Sequence, residues 1–123
     1  MELTPRELAM KIAGILDKKL AHALSVVEVA GVTEIADYFV ICTGNSTTQV
    51  KALADELEFR LKQEGVTPGH IEGHQTRSWI AMDYYSVVVH IFDNEARQYY
   101  DLDRLWSDGK VVDPAEYIVE ESN

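Results

Sequence analysis

The sequence predicts one α/β domain, a mixed β-sheet of about five strands flanked by helices. Three observations carry this. Two segments have capped starts followed by apolar residues at helical spacing; several short runs are rich in Val, Ile, Phe, Tyr and Trp; and the two kinds of segment follow one another as α-β-β-α-β-β-β-α. A length of 123 residues fits a single domain with enough core to need neither disulfide nor metal.

Each element has a local reason. In Thr4-Pro5-Arg6-Glu7, Thr4 suits the N-cap, Pro5 the first helical position and Glu7 the reciprocal capping partner. Leu8, Ile12, Ile15 and Leu16 then form one apolar stripe, and the helix fades at Lys18-Lys19, where cations suit the carbonyl end. Ser25–Val29 reads as a short strand closed by Gly31. Tyr38–Thr43 reads as a second strand, apolar on both sides and therefore central. Ser46-Thr47-Thr48-Gln49 is a second capping box. Val50, Leu53, Ala54, Leu57 and Leu61 follow with helical period until Gly65, and Pro68-Gly69 marks a turn. Phe59 falls off that stripe, either packed under another segment or exposed. His70–His74 reads as extended. Trp79–Tyr84 and Ser86–Phe92 read as two strands in tight connection, and Asp93–Trp106 as a helical ending open to a break near Tyr99-Tyr100. Residues 1–108 are expected to form the domain and 109–123 an acidic C-terminal tail. There is no internal repeat and no linker.

Charge narrows the function. Asp plus Glu number 21 against 11 Lys plus Arg, a net charge of −10. Nine acids and three bases lie from Asp93 onward, so that segment carries six of the ten. Such a field repels phosphate backbones, which argues against direct DNA or RNA binding, and it attracts basic surfaces. A solvated, solubilising surface is the plainer explanation of the same charge. Cys42 is the lone cysteine, so no intrachain disulfide forms and a reducing, cytoplasmic compartment is expected. No apolar run is long enough to span a bilayer, so no membrane role is expected.

Candidate chemistry is sparse. Thr43-Gly44-Asn45-Ser46 sits between a buried strand and a capped helix, where many α/β proteins hold phosphate and where nucleotidyltransferases carry a Gly-Ser pair. Their metal chemistry needs paired carboxylates, yet the one Asp-x-Asp pair, Asp101 and Asp103, falls in a helical segment where residues two apart do not face each other. His70, Glu72 and His74 share a face if extended and could hold zinc with His90; exposed polar residues beside a turn explain them as well. Asp83 and His90 could pair as acid and base, but no nucleophile accompanies them, and Cys42 reads as a buried strand residue. No cofactor, metal or reaction is therefore expected. The aromatic set Trp79, Tyr84, Tyr85, Tyr99, Tyr100 and Trp106 is either core or a recognition surface. Alternation puts Trp79, Ala81 and Asp83 on one face and Ile80, Met82 and Tyr84 on the other.

Ordered motifs then give a resemblance. Asp37-x-Phe39-Val40-Ile41-Cys42-Thr43-Gly44-Asn45-Ser46 runs into Gln49-Val50-Lys51-Ala52 and Ala54-Asp55. Glu72-Gly73, Trp79-Ile80, Asp83-Tyr84 and Val87-Val88-Val89-His90-Ile91-Phe92 follow, then Arg97-x-Tyr99-Tyr100-x-Leu102-x-x-Leu105-Trp106. The chain thereby resembles the ribosomal silencing factor, or Iojap-like, family from about Thr4 to Ser107. The resemblance implies a nucleotidyltransferase-like fold without catalytic carboxylates. It implies binding to the large ribosomal subunit through its protein fourteen, a steric block to subunit joining that lowers translation when nutrients are scarce, and a homodimer when free. By position it implies a partner-binding set of Trp79, Asp83, Tyr84 and His90, with Met82 and Phe92 as weaker members. One departure stands out: Tyr85-Ser86 replaces the usual Gly-Asp at the hairpin. Because Tyr suits positive φ poorly, a connection of different shape is expected there, with an acidic contact missing at Ser86. The alternatives kept open are a nucleotide-binding protein of nucleotidyltransferase type and a generic acidic adaptor.

Overall fold

The computed structural model describes residues 3–73 and 75–118, a six-stranded mixed sheet with helices on both faces. His74, expected at the end of an extended segment and weighed as a zinc ligand, lies outside the described residues, as do Glu120 and Glu121 of the expected tail.

Helix α1 (Pro5–Lys18) starts as its sequence dictates. Thr4 Oγ1 accepts from the Glu7 amide at 3.1 Å, and Glu7 Oε1 accepts from the Thr4 amide at 2.9 Å. Strands β1 (His22–Glu28) and β2 (Tyr38–Thr43) follow. In α2 (Thr47–Gln63), Ser46 Oγ accepts from the Gln49 amide at 3.1 Å, and the helix ends before Gly65 at φ +80°. Then come β3 (His70–Glu72), β4 (Trp79–Asp83) and β5 (Val87–Phe92), the short helices α3 (Asn94–Tyr100) and α4 (Leu102–Leu105), and β6 (Lys110–Val111).

The strand order is β3-β4-β5-β2-β1-β6. The β2–β5 pair is parallel and the other pairs are antiparallel. Every residue of β2 and β5 is buried, as expected of a central pair covered on both faces. On one face α1 packs on β1 and β2 while α2 packs on β4 and β5. Leu8, Ile12, Leu16, Leu53, Leu57 and Leu61 meet Val40, Ile80, Met82, Val89 and Ile91 there. On the other face Phe39, Ile41, Val88 and Phe92 form a second, smaller core. Ala96 of α3 and Leu102 of α4 lie across it, with Trp79 and Trp106 at its margins.

Two details depart from the sequence reading, and two points it left open are decided. The sheet has six strands because Lys110 and Val111, in the stretch expected as tail, pair with Glu28 and Val27. The stretch is held there by two buried side chains, Val112 and Tyr117, and by an ion pair between Arg6 of α1 and Glu116. Strand β1 begins at His22 rather than Ser25, and a bulge with Ala23 at φ +48° absorbs the extra residues. The break in the last helical segment falls at Asp101 (φ +47°), one residue past the Tyr pair. Phe59 resolves to the exposed option.

The hairpin between β4 and β5 accommodates Tyr85-Ser86 directly. Tyr85 adopts φ +69°, the conformation that Gly would supply at the first turn residue. Three contacts hold it there. Asp83 Oδ1 accepts the Tyr85 amide at 2.7 Å, the Ser86 carbonyl receives the Asp37 and Tyr38 amides at 2.8 and 3.1 Å, and the Tyr85 ring lies on Gly69.

Candidate functional site

The sheet register sorts the expected partner-binding residues. Trp79 is paired with Phe92, Ala81 with His90 and Asp83 with Val88, so Trp79, Asp83, His90 and Phe92 share the face opposite α1 and α2. Met82 and Tyr84 alternate to the other face and are buried in the helix-covered core. The set is thus split between two layers. Burial raises the pKa of the Tyr84 phenol, and among the described residues its Oη has no hydrogen-bond partner within the protein.

On the shared face, aromatic contacts build a platform. The Trp79 ring lies 5.0 Å from Phe92 and 4.5 Å from Tyr100 of α3. Its Nε1–H donates to His90 Nδ1 at 3.1 Å. His90 also meets Phe39 edge-on at 5.2 Å, and Phe39 meets Trp106 edge-on at 5.0 Å. Burial lowers the His90 pKa to about 4, so the imidazole is neutral near pH 7, as an acceptor from indole requires. Trp79 remains half-buried, while Phe92 against it is wholly buried. Ala81 and Asp83 are half-exposed, and His70 and Glu72 on β3 are exposed, so the β3–β4 side of this face is open.

Two residues outside the expected set fix this arrangement. Gly73 has φ +95°, and a Cβ there would lie 2.0 Å from the Trp79 carbonyl oxygen. Only glycine permits the β3–β4 connection to pass this close, which is what sets the entry of β4. Arg97 is the second. Its Nε and Nη2 donate to Asp103 at 2.8 and 3.0 Å, and its Nη1 donates to the Ala23 carbonyl at 2.9 Å and Thr43 Oγ1 at 3.0 Å. One planar fork therefore joins α3, α4, the β1 bulge and the end of β2. Both residues belong to motifs legible in the sequence, but the surfaces they join are distant along the chain.

The sites weighed for chemistry are occupied by structural roles. Asp103 of the Asp-x-Asp pair is taken by Arg97. In the Thr43–Ser46 turn, the Gln49 side chain accepts from the Asn45 amide, Ser46 caps α2, and a Cβ on Gly44 would meet Val50 at 3.0 Å. Asp83 binds the Tyr85 amide rather than His90. His70 Nε2 and Glu72 Oε1 lie 2.8 Å apart in solvent. Among the described residues no group of three or more His, Cys, Asp or Glu is placed to hold a metal, and no helix is long and apolar enough to cross a membrane. Burial pushes the Cys42 thiol up to about 12, which removes it as a nucleophile.

Comparison with known proteins places this geometry in a family. The family model described as ribosomal silencing factor during starvation matches residues 2–123. A ribosomal silencing factor of Halalkalibacterium halodurans is 35% identical over 111 residues, covering 90% of this chain and 95% of that protein. One from Bacillus subtilis is 37% identical over 101 residues, covering 82% and 86%. Among solved structures, a crystal structure of a protein from Bacillus halodurans aligns with TM-score 0.76 at 34% identity, covering 88% of this chain and 98% of that one.

Proposed function

The chain belongs to the ribosomal silencing factor family, and from that premise we propose that it docks on the large ribosomal subunit through protein fourteen and fills space the small subunit needs for joining. Translation is thereby lowered under nutrient limitation. The observation that carries the reading is the half-open face of β4, where Trp79 stands over a buried aromatic platform at the start of the strand and Asp83 and Glu72 lie farther along the same face. An aromatic anchor with a carboxylate rim is suited to a basic protein surface, and the net charge of −10 speeds the encounter. Trp79 and Asp83 make the contact. His90 and Phe92 hold Trp79 from beneath, and Met82 and Tyr84 act only by fixing β4 from the opposite layer. The mechanism is steric and assigns the protein no reaction, cofactor or metal. It works in the cytoplasm, and the free form is a homodimer.

The test is sedimentation of the purified protein with isolated ribosomal subunits, followed by a light-scattering assay of subunit joining. Comigration with the large subunit and suppressed joining are expected. Asp83→Asn should weaken comigration while leaving the unfolding midpoint near that of the parent, because the amide oxygen still accepts from the Tyr85 amide. A protein that stays at the top of the gradient beside intact large subunits would sink the reading and favour a generic adaptor.

A further inference from the structure

We propose that the cleft between the start of β4 and α3 receives a basic side chain, lysine or arginine, from the protein surface on which the Trp79 face docks. This rests on the function proposed above. The cleft is open, about 550 Å³, and lined by Ser78, Asp93, Glu95, Ala96, Tyr99 and Tyr100 with Gln98 at its edge. Tyr99 is 81% exposed and Tyr100 47% exposed, with their rings perpendicular at 5.0 Å. Tyr100 also packs on Trp79 at 4.5 Å with the rings tilted by 47°, so the wall of the cleft continues directly into the anchor of the proposed docking face.

The Tyr99 ring is left in water and the Tyr100 ring about half so, on a seven-residue helix of which Ala96 alone is buried. Their position beside Trp79 makes them part of a contact surface. The charge of the lining selects the occupant. Both ionisable carboxyl groups, Asp93 and Glu95, are acids, and the lining contains no cation. Asp93 Oδ1 is engaged by the Ala96 amide at 2.8 Å, whereas Glu95 makes no ion pair among the described residues. An anion would meet repulsion here. An apolar side chain would bury the Glu95 carboxylate without a partner, which is costly. A lysine or arginine satisfies both features at once, with its charge on Glu95 and its stem or guanidinium on the face of Tyr99. The cleft on the far side of the tyrosine pair differs, because Arg104 stands there with Asp101 and Asp108.

The experiment measures affinity for isolated large ribosomal subunits by sedimentation at low and at moderate salt, comparing the parent with Glu95→Gln and Tyr99→Ala. Both positions are exposed, and matching thermal midpoints establish that each variant is folded. Each variant should bind ~3- to 10-fold more weakly at low salt, and the Glu95→Gln deficit should shrink as salt rises. Parent binding with both variants within about twofold of it overturns the cleft assignment and leaves the proposed function standing. If the parent itself fails to bind, the proposed function falls and this assignment falls with it. A Glu95→Gln deficit that persists unchanged at moderate salt also counts against a cationic occupant.

Discussion

Three glycines separate two effects that are usually confounded, and the third of them governs the docking face. Gly31 has nothing within 4 Å of where a Cβ would stand and no positive φ; Gly65 has φ +80° with open space; Gly73 has φ +95° and a backbone oxygen 2.0 Å from that point. Gly31→Ala should therefore leave stability unchanged or raise it by up to ~0.5 kcal/mol through the unfolded chain. Gly65→Ala carries the conformational penalty alone, about 1–2 kcal/mol. Gly73→Ala carries that penalty and must also push the Trp79 carbonyl away by more than an ångström, roughly doubling or tripling the cost to ~3–5 kcal/mol. The displaced segment includes the β3–β4 register, Ile71 with Met82 and Glu72 with Ala81. At roughly 4 °C per kcal/mol for a domain of this size, the thermal midpoint should fall by about 12–20 °C. Urea unfolding followed by circular dichroism measures the series, and tryptophan fluorescence reports on the Trp79 environment in the same samples. A Gly73→Ala protein no less stable than Gly65→Ala would refute the close-approach argument.

Three further outcomes follow from the two layers of the sheet. Tyr84→Phe removes a buried hydroxyl that has no partner in the protein among the described residues, so urea denaturation should show unchanged stability or a gain of up to ~1 kcal/mol; a loss above that means the hydroxyl is satisfied. Tyr85→Gly relieves a positive φ but gives up the ring contact on Gly69 and adds freedom to the unfolded chain, so a net change between zero and ~1 kcal/mol of stabilisation is expected from the same measurement. His90 has a folded pKa of about 4, below its unfolded value, so the unfolded chain binds the extra proton first. Its contribution is full above about pH 6.5 and is lost as pH falls toward 4, amounting to ~3 kcal/mol, and an NMR titration of the ring giving a midpoint near 6.5 would contradict the burial argument.

Local signals were readable in proportion to how local they were. The Thr4–Glu7 box forms in full where the sequence places it, whereas of the Ser46–Gln49 box only the Ser46 cap forms, because Gln49 accepts from the Asn45 amide instead of the Ser46 amide. Strand β2 reads as central because no polar alternation interrupts it, and the structure buries all of it. Strand β6 was not readable. It is two residues long, both are exposed, and its place depends on pairing with Val27 and Glu28 more than eighty residues earlier. The proposed docking face was half readable. Alternation separates Trp79, Ala81 and Asp83 from Ile80, Met82 and Tyr84, but it does not say which face the long helices cover. The family motif, being linear, runs Asp83 and Tyr84 together although the sheet sends them to opposite layers. Tyr85 shows the limit of propensity: its residue type disfavours the turn, and the Asp83 carboxylate, the Ser86 carbonyl contacts and the ring on Gly69 override it.

The second core also changes how the docking face must be tested. Trp79 is the proposed anchor at the surface and a donor to a buried acceptor beneath it, so truncation to alanine disturbs both roles. It would leave His90 Nδ1 unpaired at a cost of about 1–3 kcal/mol and open a gap above Phe92. Weakened binding by such a variant could not be assigned to lost contact rather than to a loosened β4. Trp79→Phe keeps a ring on Phe92 and Tyr100 and avoids the gap, but it too leaves His90 Nδ1 unpaired, so its binding is read beside its own unfolding midpoint. Asp83→Asn keeps an acceptor for the Tyr85 amide and removes only the charge. Glu95 and Tyr99 are cleaner still, because nothing in the core rests on them. The acidity that first marked this chain as a binder therefore divides into parts with different tests. Charge spread over the molecule affects the rate of encounter and is screened by salt. The carboxylates at Asp83 and Glu95, on the proposed docking face and in the proposed cleft, would act at contact distance, so their removal should show in the lifetime of the complex rather than in its rate of formation.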